Sequence, residues 1–235
     1  MKSIDHGILL RKINYSETSL ILHFFTLEKG FQAYLFQGGK KKKGNMLQPL
    51  AIIEMHTYQR PESDLGKISS IAADYIPKSI PYNPIKSGLA FFMTEVIEQA
   101  LRNSDKDEAI FNMLTQEIHW LDDSDTISNY PIWFLLKVAQ QLGFGIQVQQ
   151  VDGRIFDLQA GTISNHTPEG QAFENDDAVE VLRNLLKLSK TDLLGANIHK
   201  TDRRQIVNHL TNYFRWHIDG FKVPKSLKVM QTILE

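Results

Sequence analysis

Cysteine is absent from the 235 residues. Disulfides, thiolate zinc sites, iron–sulfur clusters and a cysteine nucleophile are thereby excluded, and a chain without thiols fits a reducing compartment. Long apolar runs are missing too. No stretch of about 18 apolar residues occurs, so no membrane-spanning helix is expected. The opening Met1-Lys2-Ser3-Ile4-Asp5-His6-Gly7 lacks the apolar stretch of a signal peptide. With 14 glycines and 8 prolines the chain is neither collagen-like nor of low complexity. HExxH, GxSxG and GxxxxGK[ST] do not occur. No repeat period is found, which argues against a solenoid.

What is present is the balance of a folded protein, 42% hydrophobic and 23% charged, in a length that suits one large domain or two small ones. The net charge of −1 conceals an asymmetry. Residues 1–80 carry 11 Lys+Arg against 7 Asp+Glu, residues 81–199 carry 8 against 17, and residues 200–235 carry 7 against 3. Any contact with a polyanion is therefore expected from the two basic ends rather than the acidic middle.

The first 80 residues read as strands: a short run at Ile8–Leu10, then Ser19–Leu27, Phe31–Gln37, Ala51–Tyr58 and a weaker Lys67–Ile76. Glu28-Lys29-Gly30 reads as a hairpin turn in which Gly30 supplies a positive φ. Five short strands in this length predict a small closed barrel, of which the OB-fold is the commonest, with an SH3-like barrel as the alternative. Pro77, Pro81 and Pro84 then mark a boundary, after which the apolar period changes from 2 to 3.6. Six helical faces follow, around Leu89–Leu101, Phe111–Leu121, Leu135–Leu142, Val181–Leu186, Ile206–His217 and Leu227–Leu234. Asp176 or Asp177 is positioned to cap the fourth and Thr201 the fifth. Between the third and fourth, Ile146–Gln149, Asp152-Gly153 and Ile155–Leu158 read as a small hairpin, inserted at about 143–164. The expected architecture is multidomain β + α: an N-terminal five-stranded OB-fold barrel over 1–80, then an all-helical domain over 81–235 carrying the hairpin.

Four adjacent ammonium groups, Lys40, Lys41, Lys42 and Lys43, repel one another and do not help a chain fold. They make sense if phosphates neutralise them and release counterions. A plain solvated loop is the other reading. Here the run sits between barrel strands, beside Tyr34, Phe36 and Tyr58. Cationic loops beside stacking aromatics are what OB-folds use for single strands, although Phe24, Phe25 and Phe36 also read as core. A second basic group, Arg203, Arg204, Arg215, Lys222, Lys225 and Lys228, lies near the C-terminus. Arg204 and Arg215 are about three helical turns apart and share a face, and a solvated helix face explains them equally. Enzyme readings are poorly supported. Asp122, Asp123 and Asp125, with Asp105, Asp107 and Glu108, flank helix ends where carboxylates are ordinary. His209 and His217 lie about 12 Å apart along a helix, too far for one metal ion.

Gly7-Ile8-Leu9-Leu10-Arg11, Tyr15-Ser16-Glu17-Thr18-Ser19-Leu20-Ile21, Phe25-Thr26 and Gly30 together resemble the start of the RecO family of bacterial recombination mediators. Gly38 to Lys43 with Leu47-Gln48-Pro49-Leu50 is similar to that family's lysine loop and fourth strand. His209, Leu210 and Tyr213, then His217, Gly220-Phe221-Lys222 and Lys225-Ser226-Leu227, are similar to its terminal signature. The resemblance spans both ends of the chain. It implies an OB-fold followed by a helical domain, binding of single- and double-stranded DNA, annealing of complementary strands, and work with RecR and with single-stranded DNA-binding protein (SSB) that helps RecA displace SSB. It also implies no catalytic residue, no cofactor, no small-molecule substrate, no membrane, and a cytoplasmic, nucleoid-associated location. Many members carry a four-cysteine zinc site in the segment matching Gly143–Ser164. This chain has no thiols there, so packing of Phe144, Ile146, Val148, Ile155, Phe156 and Leu158 must hold that segment.

The expected DNA contacts are Arg11, Lys12, Tyr34 and Lys40–Lys43 on the barrel, with Arg203, Arg204, Arg215 and Lys225 beyond it. Binding through phosphates leaves base edges free to pair, as annealing requires. An apolar pocket rimmed by cations, drawing on Arg102, Trp133 and Lys137 beside Phe91, Phe92 and Phe134, would suit the acidic, apolar-ended SSB tail that the resemblance implies. The competing reading is an OB-fold RNA- or tRNA-binding module without annealing activity.

Overall fold

The structure, a computed structural model, describes residues 2–39, 46–59, 63, 65–168, 170–174 and 176–234. Five strands, β1 (Lys2–Asn14), β2 (Leu20–Thr26), β3 (Gly30–Phe36), β4 (Ile52–Tyr58) and β5 (Leu65–Tyr75), close into a barrel in the order β1-β2-β3-β5-β4. β1 pairs with β4 through its first half and with β2 through its second. All pairings are antiparallel except β3 with β5. This is the five-stranded barrel that the spacing of β-branched and aromatic runs predicts. Alternate residues point inward, so Leu9, Leu20, Leu22, Phe24, Tyr34, Phe36, Ile53 and Met55 form its core. The register of β1 slips between Leu9 and Arg11, and such a bulge re-aims the side chains beyond it. Gly30 takes the expected positive φ of 69°. A side chain there would also strike the Ser104 and Asp105 backbone.

Two compact units are present, residues up to Ser124 with Pro224–Met230, and Asp125–Val223 with Gln231–Glu235. The first adds to the barrel a short 3-10 turn (Ile80–Tyr82) and helices α1 (Pro84–Ala100) and α2 (Glu108–Asp123). Asn83 caps α1 by accepting from the amides of Ile85 and Lys86, and Pro84 begins it where no amide is needed. Phe25, facing out of the barrel, is fully buried and stacks on Phe111 of α2. Asp122 ties α2 to the end of β5. Its carboxylate accepts from Tyr75 Oη at 2.6 Å and from the amides of Lys78, Ser79 and Ile80 at 2.7–2.9 Å. Burial opposes the charged form of Asp122. The donors outweigh it and hold the carboxyl well below the usual range.

The second unit contains α3 (Tyr130–Gln141), α4 (Asp177–Leu185), α5 (Lys190–Gly195) and α6 (Lys200–His217). A final helix, α7 (Leu227–Ile233), ends the fold. α5 was not anticipated, yet its signal is visible in Ser189-x-x-Asp192. The Ser189 hydroxyl accepts the Asp192 amide and donates to the Asp192 carboxylate. Asp176 caps α4 as expected. Thr201 does not cap α6, because the helix begins two residues earlier, at Lys200, with His199 at its N-cap.

The inserted hairpin is replaced by a four-stranded sheet, β6 (Gln147–Val148), β7 (Ile155–Asp157), β8 (Thr162–Ser164) and β9 (Ala172–Glu174), in the order β6-β8-β7-β9. The two arms expected to pair across Asp152-Gly153 do not meet. β8 lies between them, parallel to β6 and antiparallel to β7. Gly153 permits this, since a side chain there would overlap the Ser164 backbone. No helix among the described residues is long and apolar enough to cross a membrane.

Candidate nucleic-acid interface

Lys40–Lys43 lie outside the described residues, but both flanks of the run are placed. Gly39 sits against the Leu20 and Phe36 side chains at the barrel mouth, and a Cβ would collide with Phe36. On the other side Leu47 joins the same core as Leu20 and Phe36, with Met46 packed on it. Gly39 and Leu47 therefore lie at one rim of the barrel. Lys12 stands at this rim and donates from Nζ to the Leu47 carbonyl at 3.1 Å. Tyr15, 63% exposed, begins the β1–β2 loop. That loop is braced by Tyr15 and Ser16 amides donating to the Ser19 carbonyl and by the Ser19 amide donating to Ser16 Oγ.

Tyr34 is a correction. Its side chain is wholly inside the barrel, packed with Phe24 and against Gly66, and burial pushes its phenol up to about 12. It cannot stack on a base. Inward and outward positions alternate along β3, and Tyr34 takes the inward phase of Phe36. Phe24, Phe25 and Phe36 are core as well. Tyr15 and Tyr58 are exposed aromatics of the barrel, at 63% and 42%. The sequence signal for Tyr15 is its place at the head of the Tyr15-Ser16-Glu17-Thr18 run.

Arg11 is exposed on the outer wall of β1, opposite His23, and reaches Glu98 Oε1 on α1 at 3.5 Å. Arg102, expected beside Trp133 and Lys137, also reaches Glu98 Oε1, at 3.9 Å. Trp133 and Lys137 lie on α3 in the second unit, where Lys190 Nζ is 5.5 Å from the Trp133 ring centroid. Of the companions named for that pocket, Phe92 and Phe134 are fully buried, whereas Phe91 is exposed. The C-terminal cations are divided. Lys225 is exposed in the segment belonging to the first unit, whereas Arg203, Arg204 and Arg215 are on α6. Arg203 is turned inward to Asn129 Oδ1 and the Leu234 carbonyl, and Arg215 donates to Asn212 Oδ1 one turn back.

His209 and His217 hold structure. His209 stacks on Phe173 at 3.7 Å and meets Asp176 Oδ2 at 2.6 Å, and burial lowers its pKa although Asp176 opposes this. His217 meets the Leu158 carbonyl at 2.9 Å. Among the described residues no group of three His, Asp or Glu side chains can hold a metal ion. With no cysteine anywhere in the chain, the donor set for a zinc module in 143–164 is not there.

The family model for the Recombination protein O N-terminal domain matches residues 1–74, and the one for the Recombination protein O C-terminal domain matches residues 81–227. Full-length likeness accompanies these matches. The chain is 29% identical over 232 residues to the DNA repair protein RecO of Flavobacterium psychrophilum, covering 97% of each, and 28% identical over 233 residues to that of Phocaeicola vulgatus, again with 97% of each covered. The RecO of Porphyromonas gingivalis is 23% identical across 99% of both chains. A five-stranded barrel followed by helices, matched in that order over residues 1–74 and 81–227, places this chain in the RecO family.

Proposed function

We propose that this chain is a DNA repair protein that works as a recombination mediator. It binds single- and double-stranded DNA through phosphates, anneals complementary strands, and acts with RecR and SSB to promote loading of RecA. The reading rests on the barrel rim, where Lys12, the exposed Tyr15 loop and both flanks of Lys40–Lys43 come together. A cationic rim held by backbone contacts meets phosphates and leaves base edges open to pair. Tyr15 replaces Tyr34 as the aromatic at this site. Arg11, Lys225, Arg204 and Arg215 are further phosphate contacts in the proposal, while Arg203 contributes mainly to packing. No chemical step is assigned to any residue. A cytoplasmic, nucleoid-associated location goes with this role.

Annealing of SSB-coated complementary oligonucleotides tests the proposal directly. The wild-type chain should accelerate duplex formation. A chain that binds RNA in preference to DNA and anneals nothing would favour an OB-fold RNA-binding module instead. Replacing Lys40–Lys43 by alanine should flatten the slope of log affinity against log salt by up to about 3 on single strands, if all four make contact. An unchanged slope removes the loop from the site. For the SSB tail, Trp133 and Lys137 are the proposed receptors in the second unit. Wild-type affinity for the tail peptide in Lys137→Ala would discard them.

A further inference from the structure

Glu98 is a buried carboxylate, 9% exposed at its side chain, and three cationic or potentially cationic groups converge on its Oε1. His23 Nδ1 is 3.0 Å away, Arg11 3.5 Å and Arg102 3.9 Å. The two arginines remain 55% and 59% exposed. All of these residues belong to the first unit: Arg11 and His23 are opposite one another on β1 and β2, and Glu98 and Arg102 are one turn apart at the end of α1.

One carboxylate oxygen cannot satisfy two guanidinium groups. Each guanidinium carries five N–H donors in a planar fork suited to carboxylate or phosphate. Both forks reach Glu98 while more than half of each arginine side chain stays exposed. Burial works against ionisation of Glu98, but the hydrogen bond with His23 and the charges of Arg11, His23 and Arg102 keep its carboxyl below the usual range. The cluster therefore keeps a surplus positive charge on a fixed frame. The bulge between Leu9 and Arg11 aims Arg11 at this wall. The next residue, Lys12, turns to the rim, and adjacent strand residues are only about 3.3 Å apart along β1.

We infer that Arg11 and Arg102, gathered by Glu98, form a phosphate-binding pair that continues the rim site over the outer wall of β1. This rests on the reading that the chain binds DNA. It moves Arg102 from a peptide pocket to the nucleic-acid path and makes Glu98 a positioning residue. Glu98 holds both forks in place while its own charge weakens their hold on an incoming phosphate.

Oligothymidylate titrated over a range of salt concentrations, against the full-length chain, tests this. Arg11→Ala and Arg102→Ala should each lower the salt slope by about 0.7. Glu98→Gln keeps an acceptor for the forks but removes the opposing charge, so it should bind about three- to tenfold more tightly than wild type. Glu98→Ala should bind more weakly than Glu98→Gln, because the forks lose their anchor. A role confined to stability predicts a lower melting temperature for Glu98→Gln with unchanged affinity and slope, and that result overturns the inference. So does an Arg102→Ala variant that keeps the wild-type slope on oligothymidylate but loses affinity for an acidic, apolar-ended peptide. Should wild type itself ignore oligothymidylate at modest salt, the proposed function fails first. Should wild type bind while Arg102→Ala and Glu98→Gln are indistinguishable from it, only the arginine pair fails.

Discussion

In the barrel, strands of seven to 13 residues close on one another, and the side chains that fill the interior come almost wholly from those strands. In the second unit, β6–β9 are two or three residues each and close on nothing. An open sheet so short cannot bury a face by itself. It borrows one from α6. Tyr213 packs on Phe156 and Phe144 and donates to the Phe144 carbonyl at 2.6 Å, while His217 stacks flat on Phe144 at 5.0 Å. From α4, Arg183 donates to the Gly153 carbonyl at 2.8 Å. Sheet closure lets the barrel fill its interior from its own strands. The small sheet needs an external clasp, and here aromatic packing from α6 supplies it where thiolates are absent.

Tyr213→Ala is the strongest way to break that contrast. Removing a fully buried aromatic should cost about 3–5 kcal/mol. Amide exchange should show protection lost from 143–174 and α6 but kept in β1–β5. Equal loss in the barrel would show that the clasp serves the whole chain. Asp122→Ala attacks the other side, where one carboxylate satisfies a phenol and three amides. Leaving those donors unpaired should cost about 3 kcal/mol by urea unfolding. Asp122→Asn should recover part of this; no difference between the two would mean that the network does not depend on acceptor count. Tyr213→Phe keeps the ring and drops only the bond to Phe144, so about 1 kcal/mol is expected. A cost as large as that of Tyr213→Ala would transfer the clasp from packing to the hydrogen bond.

Acid separates the two units more gently. His209 binds a proton less readily folded than unfolded. The stability that it supports is therefore complete above its ordinary value of 6.5 and declines as pH falls below it. Asp122 stays ionised in the folded state below the ordinary 3.8, so its contribution declines only as pH falls through that value. Stability should fall in two stages, the earlier one absent in His209→Asn. A single acid transition near pH 4 in both proteins would remove His209 from the account.

Most of the barrel was legible in the chain because β-branched and aromatic runs of alternating phase leave a strand little choice. The sheet at 147–174 was not, since runs of two or three residues carry no period. Asp152-Gly153 advertises a local turn, while the actual pairing partner of β6 lies at Thr162–Ser164. Tyr34 and Tyr15 show the same limit at the site. Composition treats them alike, and only the inward phase of β3 separates a core phenol from an exposed one. Glu98 and Arg102 are readable as a one-turn helical pair, but nothing local brings Arg11 and His23 to the same oxygen.

What the amino-acid order decided alone was the run of barrel strands, the longer helices that follow them and the segregation of basic ends from an acidic middle. These depend on near neighbours and on simple periodicity. The meeting of Arg11, His23, Glu98 and Arg102, the burial of Tyr34, and the clasp of Tyr213 on a sheet some 50 residues earlier were decided by tertiary structure. Such contacts form only when closure of the barrel and packing of α1 and α6 bring distant residues together, and local preference carries no record of that.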